Sequence, residues 1–365
     1  MDATLRAALL LNAARAPLDA FRSLCDGHGP DALDRGEEIW RKIGLRPSAQ
    51  RALEELLRQR AWPEDELARV DRFGARFLTV DDLDYPPRLK DLPQPPIGLY
   101  VKGELDIASH AVAIVGTRRC SPYGKAVAEG LGRALARAGS VVVSGGARGI
   151  DAAGHRGCLA EDGTTIAVLG TSVDRVYPVE HRDLFHQIVE RGALISEYPM
   201  GTGGDPWRFP ERNRIIVGMA RRTVVVESPV DGGAMISARL AMDLGREVWC
   251  VPGRITETVC RGTNQLLRDG AQPLIDVDDF IQCVTGRYGQ LVLDLETTPE
   301  ARVAPALSTD EKVVLGLLQR QGSRTMDELL SESGLDFATL QTCLVSLSAS
   351  GLILPSGPGR FSASV

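Results

Sequence analysis

Net positive charge is missing from this chain: 42 Lys and Arg face 48 Asp and Glu, a formal balance of −6. That excludes a generally basic nucleic-acid binder and confines any polyanion site to a local patch. Paired cysteines are missing too. The seven, Cys25, Cys120, Cys158, Cys250, Cys260, Cys283 and Cys343, are odd in number, scattered and never spaced C-x-x-C. This argues against a disulfide frame or zinc site and for a reducing compartment. No apolar run reaches membrane-spanning length. The run AALLLNAA (7–14) has no basic leader and fits a helix better than a signal peptide. A cytoplasmic protein with no membrane partner is expected. G-x-G-x-x-G is absent, so a dinucleotide fingerprint fails. Gly124–Lys125 has no Gly five residues earlier and is followed by Ala126, so a Walker P-loop fails as well. No cofactor, nucleophile or metal cluster is indicated. Aromatic residues amount to 5%, so any base stacking rests on few rings.

What is present is length and apolar content. With 365 residues, 44% of them hydrophobic, the chain has material for two or three domains. Residues 1–75 show helical spacing, as in RALEELLRQ (51–59). A helical, SAM-like domain is expected there; such bundles sometimes bind DNA backbones and more often serve as interaction modules. Residues 76–110 are rich in proline and read as extended segments and turns, with Tyr85 and Leu89 packing on the next domain. From 111 to 285 apolar runs alternate with helical stretches. The runs are AVAIV (111–115), SVVVS (140–144), TTIAVL (164–169), ALIS (193–196), RTVVVE (222–227), EVWCV (247–251) and QPLI (272–275). Continuous Val/Ile runs bounded by Gly indicate strands buried on both faces. The expected fold class is α/β, a doubly wound, extended Rossmann-like domain. Residues 286–307 read as a linker. In 308–365, Ser308 and Glu311 form a capping box, and three helices followed by a hairpin suggest a winged-helix-like domain.

Three turns at strand ends carry the chemistry. The first, after 111–115, holds Gly116, Thr117 and Arg118, with Ser121 and Pro122 opening a helix. The second is Ser144, Gly145, Gly146 and Arg148, followed by Asp151, which either caps its helix or pairs with Arg148. The third is a loop, PWRFPERNR (206–214), with Phe209, Arg212, Asn213 and Arg214. Backbone N–H groups and helix N-termini at such edges attract phosphate, and arginines add bidentate donors. The reading favours ligand contact for Arg212 and Arg214 over pairing with Glu211 and Glu197. It favours a core position for Trp207, and a packed or surface His155 over a catalytic base. Gly233, and Gly262 with Asn264, lie at two further strand ends.

Together these motifs resemble the DprA (Smf) family of DNA-processing proteins. The match runs from VAIVGTR (112–118) through SGGARGID (144–151), TIAVLG (165–170), YP (177–178), ISEYP (195–199) and FPERNRII (209–216). It continues through VVVE (224–227) and GREVWCVPG (245–253) to GTNQLLRDGA (262–271). Small departures are Gly146 for a leucine, Gly154 before His155, and GGAMISA (232–238) for SGSLITA. The resemblance implies a non-enzymatic, homodimeric protein that binds single-stranded DNA, protects it and passes it to the RecA recombinase in natural transformation. Arg118, Arg148, Arg212 and Arg214 would grip phosphates, and backbone N–H groups of Gly116, Thr117, Gly145 and Gly146 would supply neutral donors. Phe209 would stack on or support a base. The rival readings are a Rossmann-like enzyme of the lysine-decarboxylase-like or phosphoribohydrolase type, and a nucleotide sensor. Asp231–Gly232–Gly233–Ala234 lacks the proline and threonine of the enzyme loop P-G-G-x-G-T. The C-terminal segment holds four basic against six acidic residues, and 335–350 carries no Lys or Arg. A protein-contact or regulatory role is expected for it.

Overall fold

A computed structural model describes residues 1–105, 110–286, 308–321, 323–349, 352–357 and 360–363. The linker expected at 286–307 lies, apart from Gly286, outside the described residues. The chain forms two compact units, Met1–Leu291 and Val292–Val365.

The first unit opens with five helices: α1 (Ala3–Ala13), α2 (Leu18–Gly27), α3 (Glu37–Lys42), α4 (Pro47–Arg58) and α5 (Trp62–Phe73). Asp2 caps α1 by accepting from the Thr4 and Leu5 amides, and Pro47 opens α4. Strands β1 (Arg76–Thr79), β2 (Gly98–Gly103), β3 (Ala111–Val115), β4 (Val141–Ser144) and β5 (Thr165–Val168) come next, with β6 (Ala193–Ser196), β7 (Arg222–Val225), β8 (Glu247–Cys250) and β9 (Gln272–Pro273). Helices α6 (Pro122–Arg137), α7 (Ile150–Leu159), α8 (Arg182–Arg191), α9 (Arg208–Met219), α10 (Gly233–Asp243), α11 (Arg261–Arg268) and α12 (Val277–Thr285) complete it.

The nine strands make one sheet in the order β1-β2-β6-β5-β4-β3-β7-β8-β9. From β6 to β9 the pairing is parallel, and each of the seven apolar runs supplies one of these strands. Residues 111–115, 141–144, 165–168 and 193–196 are buried throughout. The parallel part grows outward from β3 in both directions, so the order reverses between β3 and β7.

The proline-rich stretch contributes more than turns. It forms β1 and β2, which pair antiparallel and dock on β6, also antiparallel. Tyr85 and Leu89 are fully buried in the main core, and the Tyr85 hydroxyl donates to the Pro96 carbonyl at 2.8 Å. The N-terminal helices share that core: Leu10, Leu11, Phe21 and Leu53 lie in one cluster with Leu99, Ile166 and Ile195. Asn12 of α1 donates to the Glu197 carbonyl (2.9 Å) and accepts from the Gly98 amide (3.1 Å). It thereby satisfies main-chain groups beside two different strands.

The second unit contains α13 (Thr309–Gln321), α14 (Met326–Ser333) and α15 (Phe337–Ala349). Its three-stranded sheet has the order β10-β12-β11, from β10 (Arg324–Thr325), β11 (Ile353–Gly357) and β12 (Arg360–Ala363). The Ser308–Glu311 capping box forms at 2.7 and 3.2 Å, and Thr325 with Glu328 makes a second one. Val314, Leu318, Leu329, Leu340 and Leu347 form its own core. No helix among the described residues is long and apolar enough to cross a membrane.

Candidate nucleic-acid interface

Open parallel sheets bind ligands outside the strand carboxyl ends where the strand order reverses. Here a cleft of about 520 Å³ opens between the segment after β3 (Gly116–Arg119) and the start of α10 (Gly233, Ala234, Ser237), with Tyr177, Phe209 and Asn213 along its wall.

Two of the four main-chain donors expected at the first two turns, those of Thr117 and Gly145, are spent inside the protein. The Thr117 amide donates to the Glu227 carbonyl at 2.7 Å. The Glu227 carboxylate accepts from the Ser121 amide (2.8 Å) and hydroxyl (2.5 Å), so an internal anion already occupies the N-terminus of α6. A Cβ on Gly116 would strike Ile150, which makes this glycine a packing residue. In the second turn the Gly145 and Ala147 amides donate to Asp151, at 3.2 and 3.4 Å. Asp151 therefore organises its own loop and leaves Arg148 to pair with Glu180 on the surface. The Ser144 hydroxyl is buried and donates to the Ile114 carbonyl at 2.5 Å. Gly146 has φ +63° and packs on Phe185, and its carbonyl lies 2.9 Å from His181 Nδ1.

The third segment is a helix rather than a loop from Arg208 onward. Pro210 sits in its first turn, where a missing N–H costs no hydrogen bond. Helical phase separates the arginines. Arg212 is 4% exposed and donates through Nη1 to the carbonyls of Gly145 (2.6 Å) and Val168. A Cβ on Gly145 would lie 2.5 Å from that guanidinium, so this glycine makes room for Arg212. Burial brings Arg212 down to about 10, against the pull of Asp151. Burial likewise raises Asp151, which Arg212 opposes. Arg214 turns to another groove and pairs with Glu197 at 2.5 and 2.6 Å. The expected phosphate grip by Arg212 and Arg214 is thus replaced by an internal strut and an ion pair. Trp207, expected in the core, is 44% exposed. Gly262 packs against the Ser228 and Pro229 carbonyls, and Asn264 exchanges two hydrogen bonds with Gly253, at 3.0 and 3.1 Å. Neither residue lines the cleft.

What remains free is compact. Arg118 and Arg119 are exposed on the cleft and have no ion-pair partner among the described residues. The Arg118 guanidinium lies 5.1 Å from the Phe209 ring centroid, and Tyr177 packs on Phe209 at 5.3 Å. Helix α10 has no side-chain cap, and Gly233 and Ala234 in its first turn line the same space. Arg119 and Tyr177 were missed as site residues, although a tandem arginine at a strand end and the YP pair were visible signals. His155 is fully buried and 2.7 Å from the Thr165 hydroxyl, as expected of a packed histidine.

Residues 76–285 match the family described as DNA recombination-mediator protein A. A DprA-named DNA processing protein of Mycobacterium tuberculosis is 35% identical, across 100% of this chain and 98% of its own. The chain belongs to this family. Protein Smf of Escherichia coli is 31% identical over 80% of this chain and 79% of its own length. Among solved structures, DprA of Streptococcus pneumoniae aligns with a TM-score of 0.62 and 30% identity, covering 76% of this chain and 94% of that one. DprA of Helicobacter pylori, described by its single-stranded-DNA binding mode, aligns at 0.54 and 31%, covering 58% and 97%. The large parallel sheet is common to the DprA fold, and the cleft lies within the matched span.

Proposed function

We propose that this DprA-family protein binds single-stranded DNA non-enzymatically in the cleft beside β3 and passes the strand to RecA during transformation. The observation that carries the binding is the pair of unpaired arginines, Arg118 and Arg119, set beside the Phe209–Tyr177 rings in an open cleft. Charge for phosphates and rings for bases is the pattern of sequence-tolerant strand binding. Duplex recognition would need an element that enters a groove with base-reading side chains; α15 carries no Lys or Arg. The RecA transfer, a two-fold symmetric dimer, a cytoplasmic location and a winged-helix role for the second unit rest on the family resemblance. The seven cysteines, all free, suit a reducing compartment.

A competition titration with oligo(dT), the matching duplex and a mononucleotide tests the reading. Oligo(dT) should bind tightest. Arg118→Ala and Arg119→Ala should each weaken it and flatten the slope of log K against log[salt] by about 0.7. Equal affinity for duplex would remove the strand preference. Tight mononucleotide binding would favour a nucleotide sensor.

A further inference from the structure

Beside the cleft, past the 202–206 segment, lies a second cluster of rings and guanidinium groups that the proposed function leaves unused. Trp207 stands at the N-cap of α9 and is 44% exposed. The Arg15 guanidinium, from the turn after α1, lies 4.4 Å from its ring centroid, and that of Arg208 lies 4.9 Å away. Tyr198 meets the same ring edge-on at 6.4 Å. The charges here are already answered: Arg15 pairs with Glu211 at 2.5 Å and Arg208 with Asp205 at 3.0 Å. A groove of about 160 Å³ runs between Arg15, Thr202, Trp207 and Arg208. It shares Asn12, Ala13, Arg15 and Glu197 with a wider groove of about 490 Å³ along the N-terminal helices.

We infer that Trp207 is a second base-stacking station, which leads the strand out of the cleft toward the N-terminal helices. This rests on the single-strand reading above. Trp207 and Phe209 are two residues apart, so their α-carbons lie within about 7 Å. One ring borders the cleft and the other borders the groove, close enough for successive parts of one strand to use both. Phe209 has one arginine against it and Trp207 has two; such contacts hold a ring in place before a base arrives, and the base takes the part of the Trp207 ring that stays exposed. The two stations differ in charge. Arg118 and Arg119 have no ion-pair partner among the described residues, whereas Arg15 and Arg208 do. The cleft therefore takes phosphates and a base, while Trp207 takes a base alone. The N-terminal helices enter DNA binding through Arg15, which orients the ring and, through Glu211, the first turns of α9.

The test uses the full chain with oligo(dT) of about 4 and about 15 nucleotides. Trp207→Ala should weaken the longer strand about tenfold, within what one base stack supports. The shorter strand should lose less than about twofold, and the salt slope should stay unchanged. Trp207→Phe, which keeps a ring, should retain most of the affinity. Trp40 is buried, and Trp62 and Trp249 are half-buried. Quenching of tryptophan fluorescence by the longer strand should therefore disappear in Trp207→Phe. Unchanged affinity of Trp207→Ala for the longer strand, equal losses for both lengths, or a flattened salt slope would each overturn the inference. If the unmodified chain fails to bind oligo(dT), the single-strand reading falls first and this one with it. If it binds and only Arg118→Ala weakens it, the cleft stands and the second station does not.

Discussion

At the scale of single residues, burial decides which polar groups remain available for a ligand. His155 illustrates the internal case. The Thr165 hydroxyl donates to the Val142 carbonyl at 2.8 Å, so it accepts from His155, and the proton sits on Nδ1. Nε2 is buried without a partner, and burial pushes the imidazole down to about 3. Between about pH 3 and 6.5 the unfolded chain binds a proton there that the folded chain does not. Stability should then fall as pH drops below about 6.5, with a slope approaching 1.4 kcal/mol per pH unit. His155→Gln should flatten this portion of the stability profile in urea titrations at pH 4 to 7. An identical profile in the variant would show that other groups set the acid response. The histidine was legible as a packed residue because the sequence offered it no serine–aspartate partners. Its tautomer was not, because that depends on a strand pairing between residues far apart in the chain.

At the scale of elements, the parallel strands were readable because strands buried on both faces leave unbroken Val/Ile runs. The antiparallel β1 and β2 were hidden by their prolines, which lie between the strands and not within them. Helix α9 was hidden for a related reason: Pro210 breaks a helix interior but is welcome in a first turn. Reading that segment as a loop put Arg212 and Arg214 on one surface. On a helix, two positions apart do not share a face, and each arginine finds a different environment. Arg212 joins α9 to the ends of β4 and β5. Arg212→Gln should therefore destabilise the fold by about 1–3 kcal/mol, since the buried Gly145 and Val168 carbonyls lose a charged donor and Asp151 loses a nearby positive charge. Arg214→Gln, which breaks a partly exposed pair, should cost much less. Comparable denaturation midpoints for the two variants would contradict this assignment.

At the scale of the molecule, the two units differ in the unpaired positive charge they offer a polyanion. The second has a compact core and two capping boxes, but its basic residues are outnumbered, and Arg324 and Arg360 lie within 4 Å of Glu332 and Glu328, at 3.7 and 3.9 Å. Phosphate neutralisation has little to draw on there. Ending the chain at Leu291 should leave oligo(dT) affinity within about threefold, a change under ~1 kcal/mol. A tenfold loss in a folded truncation would assign the second unit a direct DNA contact. The first unit binds its N-terminal helices to the sheet through a shared core, and the Asn12 bond to Glu197 spans 185 residues. That span has a consequence during synthesis. Translation at about 5–20 residues per second brings Glu197 out roughly 10 to 40 s after Asn12. Through that interval α1 has Phe21, Leu33 and Leu53 to pack on, but the Asn12 amide has no Glu197 carbonyl to donate to, so the N-terminal helices gain this tie to the end of β6 only after β6 has left the ribosome.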